Sequence, residues 1–250
     1  MTVERGNTYM LCGDCLQYLP MLPDKSIDMI LCDLPYGITR NKWDSPIPLK
    51  PLWKEYRRVI KDNGAILLFG VQPFVTDLIN SNRKEYRYEI IWEKTMKTGF
   101  LNANRMPLRA HENIIVFYKK LPVYNPQKSH VKTPCLSRRR NNANRAPHYG
   151  VYHESSYTDT GERYPTDVIR FYNWNGARFG DTRSKVLHPT SKPVPLLEYL
   201  IKTYTNEGDI VLDNAMGSGS TGVACARTNR GFVGIELDAG YYDIAKERVR

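Results

Sequence analysis

The 250-residue sequence predicts an α/β fold: a doubly wound, mostly parallel sheet with helices on both faces, interrupted by one basic module. Three observations predict it. Strand-like and helix-like runs alternate on both sides of residues 120–185. The apolar runs are continuous, as expected of parallel strands covered on both faces. Residues 120–185 follow neither pattern and are polar, basic and rich in Pro, Asn and Tyr.

Taken in order, "TYMLC" (8–12) is a strand ended by Gly13-Asp14. "CLQYLPMLPD" opens as a helical turn that Pro20 and Pro23 stop. "SIDMILCDLPYG" is a buried strand that finishes in a Pro-Tyr-Gly turn. Over 51–61, Leu52, Tyr56, Val59 and Ile60 share one helical face, and Asp62-Asn63-Gly64 stop that helix. "AILLFGV" is the next strand, and "PFVTDLINSN" is a short helix with Pro73 in its first turn. "YRYEIIWEK" and "ENIIVFYKK" are two more strands. Beyond the basic stretch, "PVPLLEYLIKTYT" is a helix entered through Pro193 and Pro195. Then come the strand "DIVLD", a glycine loop running into the helix "STGVACARTN", the strand "GFVGIEL" and the helix "AGYYDIAKERVR".

Composition narrows the function class. Apolar residues make up 41% and charged residues 25%, ordinary for a folded soluble protein. No apolar run approaches the roughly 18 residues of a membrane helix, so no membrane partner is expected. "MTVERGNTYM" has no apolar signal core, the mark of a cytoplasmic protein. The five cysteines are odd in number and irregularly spaced, which argues against a disulfide framework. Cys12 and Cys15 form one C-x-x-C without a second Cys or His pair, so no metal site is expected. The formal charge is +10, and its location is informative. Residues 83–185 carry 20 Lys+Arg against 9 Asp+Glu, whereas the other 147 residues carry 16 against 17. A basic excess confined to one stretch points to a polyanion surface.

Two constellations carry chemistry. In "NAMGSGSTG" (214–222), Gly217, Gly219 and Gly222 have the G-x-G-x-x-G spacing of a dinucleotide turn. Yet only one helix follows the acid Glu236, and a dinucleotide fold needs further strands there. Asp213 also puts a carboxylate where pyrophosphate would sit. A ligand with an adenosine end and an amino-acid end explains more, with Glu236 accepting from ribose hydroxyls and Asp213 and the loop amides facing the amino-acid end. S-adenosylmethionine has that shape. The second constellation is "DLPYG" (33–37), at the carboxyl end of a strand, where α/β sheets place their chemistry. Asp33 and the Leu34 carbonyl are two acceptors, Pro35 stiffens the turn, and Tyr36 offers a flat ring. Together they suit a planar base bearing an exocyclic amine.

These motifs resemble those of the amino-methylating DNA methyltransferases, which modify adenine at N6 or cytosine at N4. "DLPY" is similar to their D/N/S-P-P-Y motif, with Leu34 in place of the first proline. "DNAMGSGS" resembles D-P-F-x-G-S-G-T, with Asn214 and Ala215 replacing Pro-Phe and Met216 supplying part of the apolar wall. "HPTSKP" (188–193) resembles H-P-T-x-K-P, which lies near the methionine end of the cofactor. "GIELD" resembles the strand whose acid binds ribose, and "GDC" (13–15) the segment whose Asp reaches adenine. The motif order, catalytic first and cofactor loop last, is that of the β-class.

The resemblance implies a circularly permuted, Rossmann-like class I S-adenosylmethionine-dependent methyltransferase with a seven-stranded sheet. It implies a catalytic half at 1–119, a target-recognition region at 120–185 and a cofactor-binding half at 186–250. Catalysis would rest on Asp33, Leu34, Pro35 and Tyr36. S-adenosylmethionine would be held by Asp14, Cys15, His188, Lys192, Asp213, Met216, Gly217, Ser218, Gly219, Ser220, Glu236 and Leu237. Double-stranded DNA is the implied partner, with Lys132, Arg138, Arg139, Arg140 and Arg145 as candidate contacts and the target base flipped out. A homodimer is common in this class, and a cognate restriction endonuclease is a further candidate partner. Asp rather than Ser at position 33 favours adenine-N6. Cytosine-N4 methylation, or a non-catalytic nucleic-acid-binding module on the same fold, are the alternatives. Pro134-Cys135 has the form of a cytosine-C5 nucleophile but lies in the irregular segment, away from any strand end.

Overall fold

The computed structural model describes residues 2–37, 46–131, 159–173 and 191–249. His188, Lys132, Arg138, Arg139, Arg140, Arg145 and the Pro134-Cys135 pair lie outside the described residues. The main compact unit combines Met1–Asn125 with Asp167–Arg250. A smaller unit, Pro126–Thr166, contains a two-stranded antiparallel pair, Ser129–His130 with Glu162–Arg163. Among the described residues, no helix is long and apolar enough to cross a membrane.

The main unit is the doubly wound α/β fold that the alternation predicts. Its N-terminal part runs β1 (Thr8–Cys12), α1 (Cys15–Tyr18), β2 (Ile27–Cys32), α2 (Leu49–Val59), β3 (Ile60–Gly70), α3 (Phe74–Ser81), β4 (Tyr86–Thr98) and β5 (Arg109–Phe117). The short strands of the smaller unit are β6 (Ser129–His130) and β7 (Glu162–Arg163). After them come β8 (Val168–Phe171), α4 (Val194–Tyr204), β9 (Ile210–Asp213), α5 (Ser220–Arg227), β10 (Gly231–Glu236) and α6 (Ala239–Arg248). The sheet order is β1-β10-β9-β2-β3-β5-β4-β8, and every neighbouring pair is parallel except those involving β5.

The continuous apolar runs have the expected cause. Along β2, Ile30 and Cys32 pack on the face covered by Leu52, Tyr56 and Leu78, while Met29 and Leu31 pack on the face covered by Leu197, Leu200 and Ala224. Successive side chains alternate faces, so a strand covered on both must be apolar at every position.

Three sequence expectations change. The helix expected over 51–61 ends at Val59, and Ile60 opens β3 instead of joining the helical face. Residues 61–64 form an irregularity, with pairing jumping from Ile27↔Ile60 to Met29↔Ala65. Gly64 permits it, because a Cβ there would lie 2.7 Å from the Asp28 carbonyl oxygen. The sheet has eight strands where the resemblance implied seven, the additional one, β8, coming from the stretch without visible periodicity. Its four residues are too few to show a period, and it pairs only at the edge, against β4. Finally, β5 runs antiparallel to both neighbours. Its buried half, Ile114–Phe117, is apolar at every position whichever way the strand runs, so it carries no directional signal.

Candidate active site

The site follows from the point where the two parts of the chain meet. β9 and β2 are adjacent and parallel, with Ile30 opposite Leu212. Chain connections leave them on opposite sides, which opens a crevice beyond their carboxyl ends. Asp33 directly follows β2, and Asp213 is the last residue of β9. "DLPYG" and the glycine loop, about 180 residues apart in sequence, therefore share one cleft of about 620 Å3. That is a size typical of small-molecule sites, ~300–1,000 Å3.

On the β2 side, Asp33, Leu34, Pro35 and Tyr36 all line the cleft. The Tyr36 hydroxyl donates to Asp33 Oδ1. Burial, with the Asp33 carboxylate beside it, pushes the Tyr36 phenol well up, so it remains a donor. Its ring leans on Phe74 with centroids 5.0 Å apart. Leu34 is buried and joins the core under this loop. That accounts for an aliphatic residue here, and its backbone carbonyl is independent of side-chain type.

Lys192, expected at the methionine end of a cofactor, lines the cleft and sits between two carboxylates. Its ammonium donates to Asp33 Oδ2 and lies 3.3 Å from Glu112 Oε2. Glu112 Oε1 is ion-paired with Lys94. Burial pulls the Lys192 pKa down, but Asp33 and Glu112 outweigh it and hold the ammonium above its ordinary value. Burial likewise pushes Glu112 up, yet Lys192 and Lys94 bring it below the usual carboxylate range. Glu112 and Lys192 thus each favour their charged form. Lys94 and Glu112 escaped sequence reading. They stand among other polar residues, Lys94 next to Glu93 in β4 and Glu112 between His111 and Asn113 in β5, so nothing in the local pattern marks them as buried.

On the β9 side, the loop is tied to the sheet by its backbone. Met216 N–H donates to the Ile235 carbonyl (3.0 Å), and Gly219 N–H to the Met216 carbonyl (2.9 Å). Gly217 N–H donates to Glu236 Oε2, and Asp238 N–H to Oε1, both at 2.8 Å. Each Glu236 oxygen keeps a lone pair for a further donor. Gly217 has φ +52° and faces open space, whereas Gly219 has φ +79° and turns against α6. Met216 lies over Gly234, where a Cβ would fall 2.3 Å from its sulfur. Ser218 is buried and accepts from Arg248 of α6 at 2.8 Å.

Asn214, which departs from the resembled pattern, has a structural explanation. Its Oδ1 accepts from the Tyr56 hydroxyl, and its Nδ2 approaches Cys15 Sγ at 3.5 Å. It joins α2 and α1 to the loop from behind. Of the other cofactor candidates, Asp14, Cys15, Ser220 and Leu237 line the cleft, and Gly219 does not. Asp14 also accepts from Leu16 N–H as the cap of α1. Leu237 is 65% exposed, an apolar side chain at the cleft.

Asp213 faces inward more than expected. It accepts from the Thr221 hydroxyl (2.6 Å) and Ala215 N–H (3.2 Å), so it organises the loop and offers a ligand its charge more than a free oxygen. Burial pushes its pKa up to about 6. Between pH ~4 and ~6 the folded state keeps a proton that the unfolded chain has lost, so stability falls as pH rises through that window. Asp213→Asn removes this cost. The variant is expected to exceed the wild type at pH 7.5 by on the order of 3 kcal/mol and to keep only about 1 kcal/mol of that advantage at pH 4.5. Urea unfolding of both proteins at the two pH values checks it, and an equal difference at both would refute the buried charge.

The cleft suits an adenosyl sulfonium ligand on three counts. Gly217 leaves its front open, Asp213 and Glu236 make the wall acidic, and Leu237 supplies an apolar surface.

Comparisons with known proteins show the family and the fold. The N6/N4 DNA methylase family matches residues 27–247. The type II methyltransferase M.HpaI of Haemophilus parainfluenzae is 25% identical over 250 residues, covering 96% of this chain and 73% of that protein. M1.MboII of Moraxella bovis is 25% identical over 258 residues, covering 93% and 92%. Among solved structures, the M1.HpyAVI–SAM complex superposes with TM-score 0.62 at 20% identity, covering 96% of this chain and 98% of that one. PvuII DNA methyltransferase (cytosine-N4-specific) superposes with TM-score 0.68 at 15% identity, covering 99% and 89%.

Proposed function

The chain belongs to the N6/N4 DNA methylase family, and from that premise we propose that it methylates the N6 amine of an adenine flipped out of duplex DNA. The observation that carries this reading is the shared cleft, with two fixed acceptors at the end of β2 and a ligand-open glycine loop at the end of β9. S-adenosylmethionine is the cofactor, and when bound it supplies an electrophilic methyl group on a sulfonium.

The chain's residues do the rest by positioning. Gly217 and Met216 border the cofactor, with Glu236 toward its ribose and Asp14 toward its adenine. Asp33 and the Leu34 carbonyl take the two hydrogens of the target amine. Holding both hydrogens leaves the nitrogen lone pair directed away from them, toward the glycine-loop side. Tyr36 stacks on the base, and Pro35 keeps the acceptors in register. Fixing two reactants in this way lowers a barrier by ~7 kcal/mol or more in good cases. No covalent nucleophile is required.

Residues 120–185 act as the target-recognition region in this reading. Of their described cations, Lys128 pairs with Glu162 at 2.8 Å and Arg163 with Asp159 at 2.7 Å. The proposed phosphate contacts, Lys132, Arg138, Arg139, Arg140 and Arg145, lie outside the described residues. Adenine is favoured over cytosine by the aspartate at position 33.

Incubation with methyl-labelled S-adenosylmethionine and mixed-sequence duplex DNA, followed by nucleoside separation, tests the proposal. Label in N6-methyladenine is the expected result. Label in N4-methylcytosine reassigns the same site to the other amine. Binding of DNA with no labelled nucleoside would leave a non-catalytic module.

A further inference from the structure

Both oxygens of the Asp33 carboxylate are taken, one by the Tyr36 hydroxyl and the other by the Lys192 ammonium. Each carboxylate oxygen can accept a second donor, but an amine arriving at Oδ2 must share that oxygen with the ammonium. A contact between two full charges is the stronger of the two, so the amine is held better if Lys192 has another place to go.

Such a place exists. Glu112 Oε2 is buried and ion-paired with the Lys192 nitrogen at 3.3 Å, but it lacks a well-formed hydrogen bond. A buried acceptor held by so loose a contact is unusual in a folded protein and calls for a reason. Its sister oxygen is held by Lys94, which fixes the carboxylate with Oε2 toward Lys192. Glu112 comes from β5 and Lys94 from β4, with Trp92 paired to Glu112 in the sheet, so both are anchored on rigid strands. The cluster of Asp33, Glu112, Lys94 and Lys192 has two formal charges of each sign, and Lys192 already touches both carboxylates, so its move from one to the other is short and leaves the total charge unchanged.

Building on the amine-methylation reading, we propose that Glu112 is a positioning residue that receives the Lys192 ammonium when the target amine engages Asp33. Before the base arrives, Lys192 neutralises Asp33. Once the amine is in place, Lys192 shifts to Glu112, and Asp33 Oδ2 becomes an acceptor for the amine hydrogen. Glu112 acts through Lys192 and touches no reacting atom.

Single-turnover methylation of duplex DNA tests this in wild type, Glu112→Gln, Lys192→Met and the double variant. Glu112→Gln keeps the shape and removes the receiving charge. Its methyl-transfer rate is expected to fall about ten- to a hundredfold, the range for losing a partner that orients a reacting group. Kd values for cofactor and DNA are expected to stay at wild-type levels. In the Lys192→Met background the same change is expected to have no further effect, because nothing remains to be received. Glu112→Asp retains a carboxylate and is expected to recover part of the rate. It replaces Glu112→Gln in both backgrounds if the glutamine variant does not fold. A wild-type rate in Glu112→Gln overturns the inference alone, as does a full Glu112 effect in the Lys192→Met background. Weakened cofactor binding at an unchanged rate also overturns it. Absence of label in DNA from the wild-type protein overturns the methyltransferase reading and the inference with it.

Discussion

Asp33→Ala is expected to lower methyl transfer by at least about 10²–10³-fold, the loss seen when one preorganised polar contact to a reacting group is deleted. Cofactor affinity is expected to persist, because the loop contacts to Glu236, Ile235 and Thr221 do not involve Asp33. The variant removes the acceptor for the target amine and also strands two donors, the Tyr36 hydroxyl and the Lys192 ammonium. Lys192 retains Glu112 as a partner, so the buried charge is not orphaned and the fold is expected to survive. Asp33→Asn, which keeps a carbonyl acceptor of the same shape, is expected to retain more activity than the alanine variant. Single-turnover rates and cofactor titration on the same samples measure both quantities. Full activity in Asp33→Ala would remove the proposed site, and loss of cofactor binding in parallel would show that Asp33 supports the loop instead.

The second large effect separates two glycines of one motif. Gly219→Val is expected to destabilise the fold by about 2–5 kcal/mol, combining a left-handed backbone with overpacking. At φ +79° a β-branched residue is strained, and a Cβ there would lie 2.9 Å from the Ala245 Cβ and 3.1 Å from its Cα. Backbone atoms of α6 cannot yield as the tip of a flexible side chain would. Against a total stability of about 5–15 kcal/mol, this is a large fraction. Gly217→Ala should behave differently. Nothing lies within 4 Å of a Cβ there, so only the φ +52° conformation is strained. The stability cost is then about 1–2 kcal/mol. Its methyl, however, projects into the cleft where the ligand approaches. Overlap of one methyl in a filled site costs about 1–3 kcal/mol, or about tenfold or more in Kd. Urea midpoints and cofactor titrations on both variants decide the matter. Equal stability losses would show that the two glycines serve the same purpose.

Much of the site was legible because it is built from short, local stretches. "DLPYG" announces two acceptors, a stiff turn and a ring within five residues, and the glycine loop announces a close backbone approach within nine. Placing the two together required only the rule that α/β sheets work at their carboxyl edges. The departures were harder to read. Asn214 is a mismatch in sequence and a tie between α1, α2 and the loop in space. Ile60 continues a helical face by spacing, yet strand pairing with Ile27 takes it into β3.

The amino-acid sequence by itself determined the alternation of elements, the strand-end motifs, the glycine turn and the clustering of positive charge. Each of these depends on backbone freedom, periodicity or counting within a short window. Only the tertiary structure decided that Lys192 rests on Asp33, that Glu112 pairs with it from β5, and that Gly219 packs against α6 while Gly217 faces the open cleft. The physical reason is the range of the forces involved. A turn or a helix face is set by neighbours in the chain, whereas the partner of a buried charge is set by which strands lie side by side. Here that order brings β4, β5 and the segment before α4 to one point beyond the end of β2.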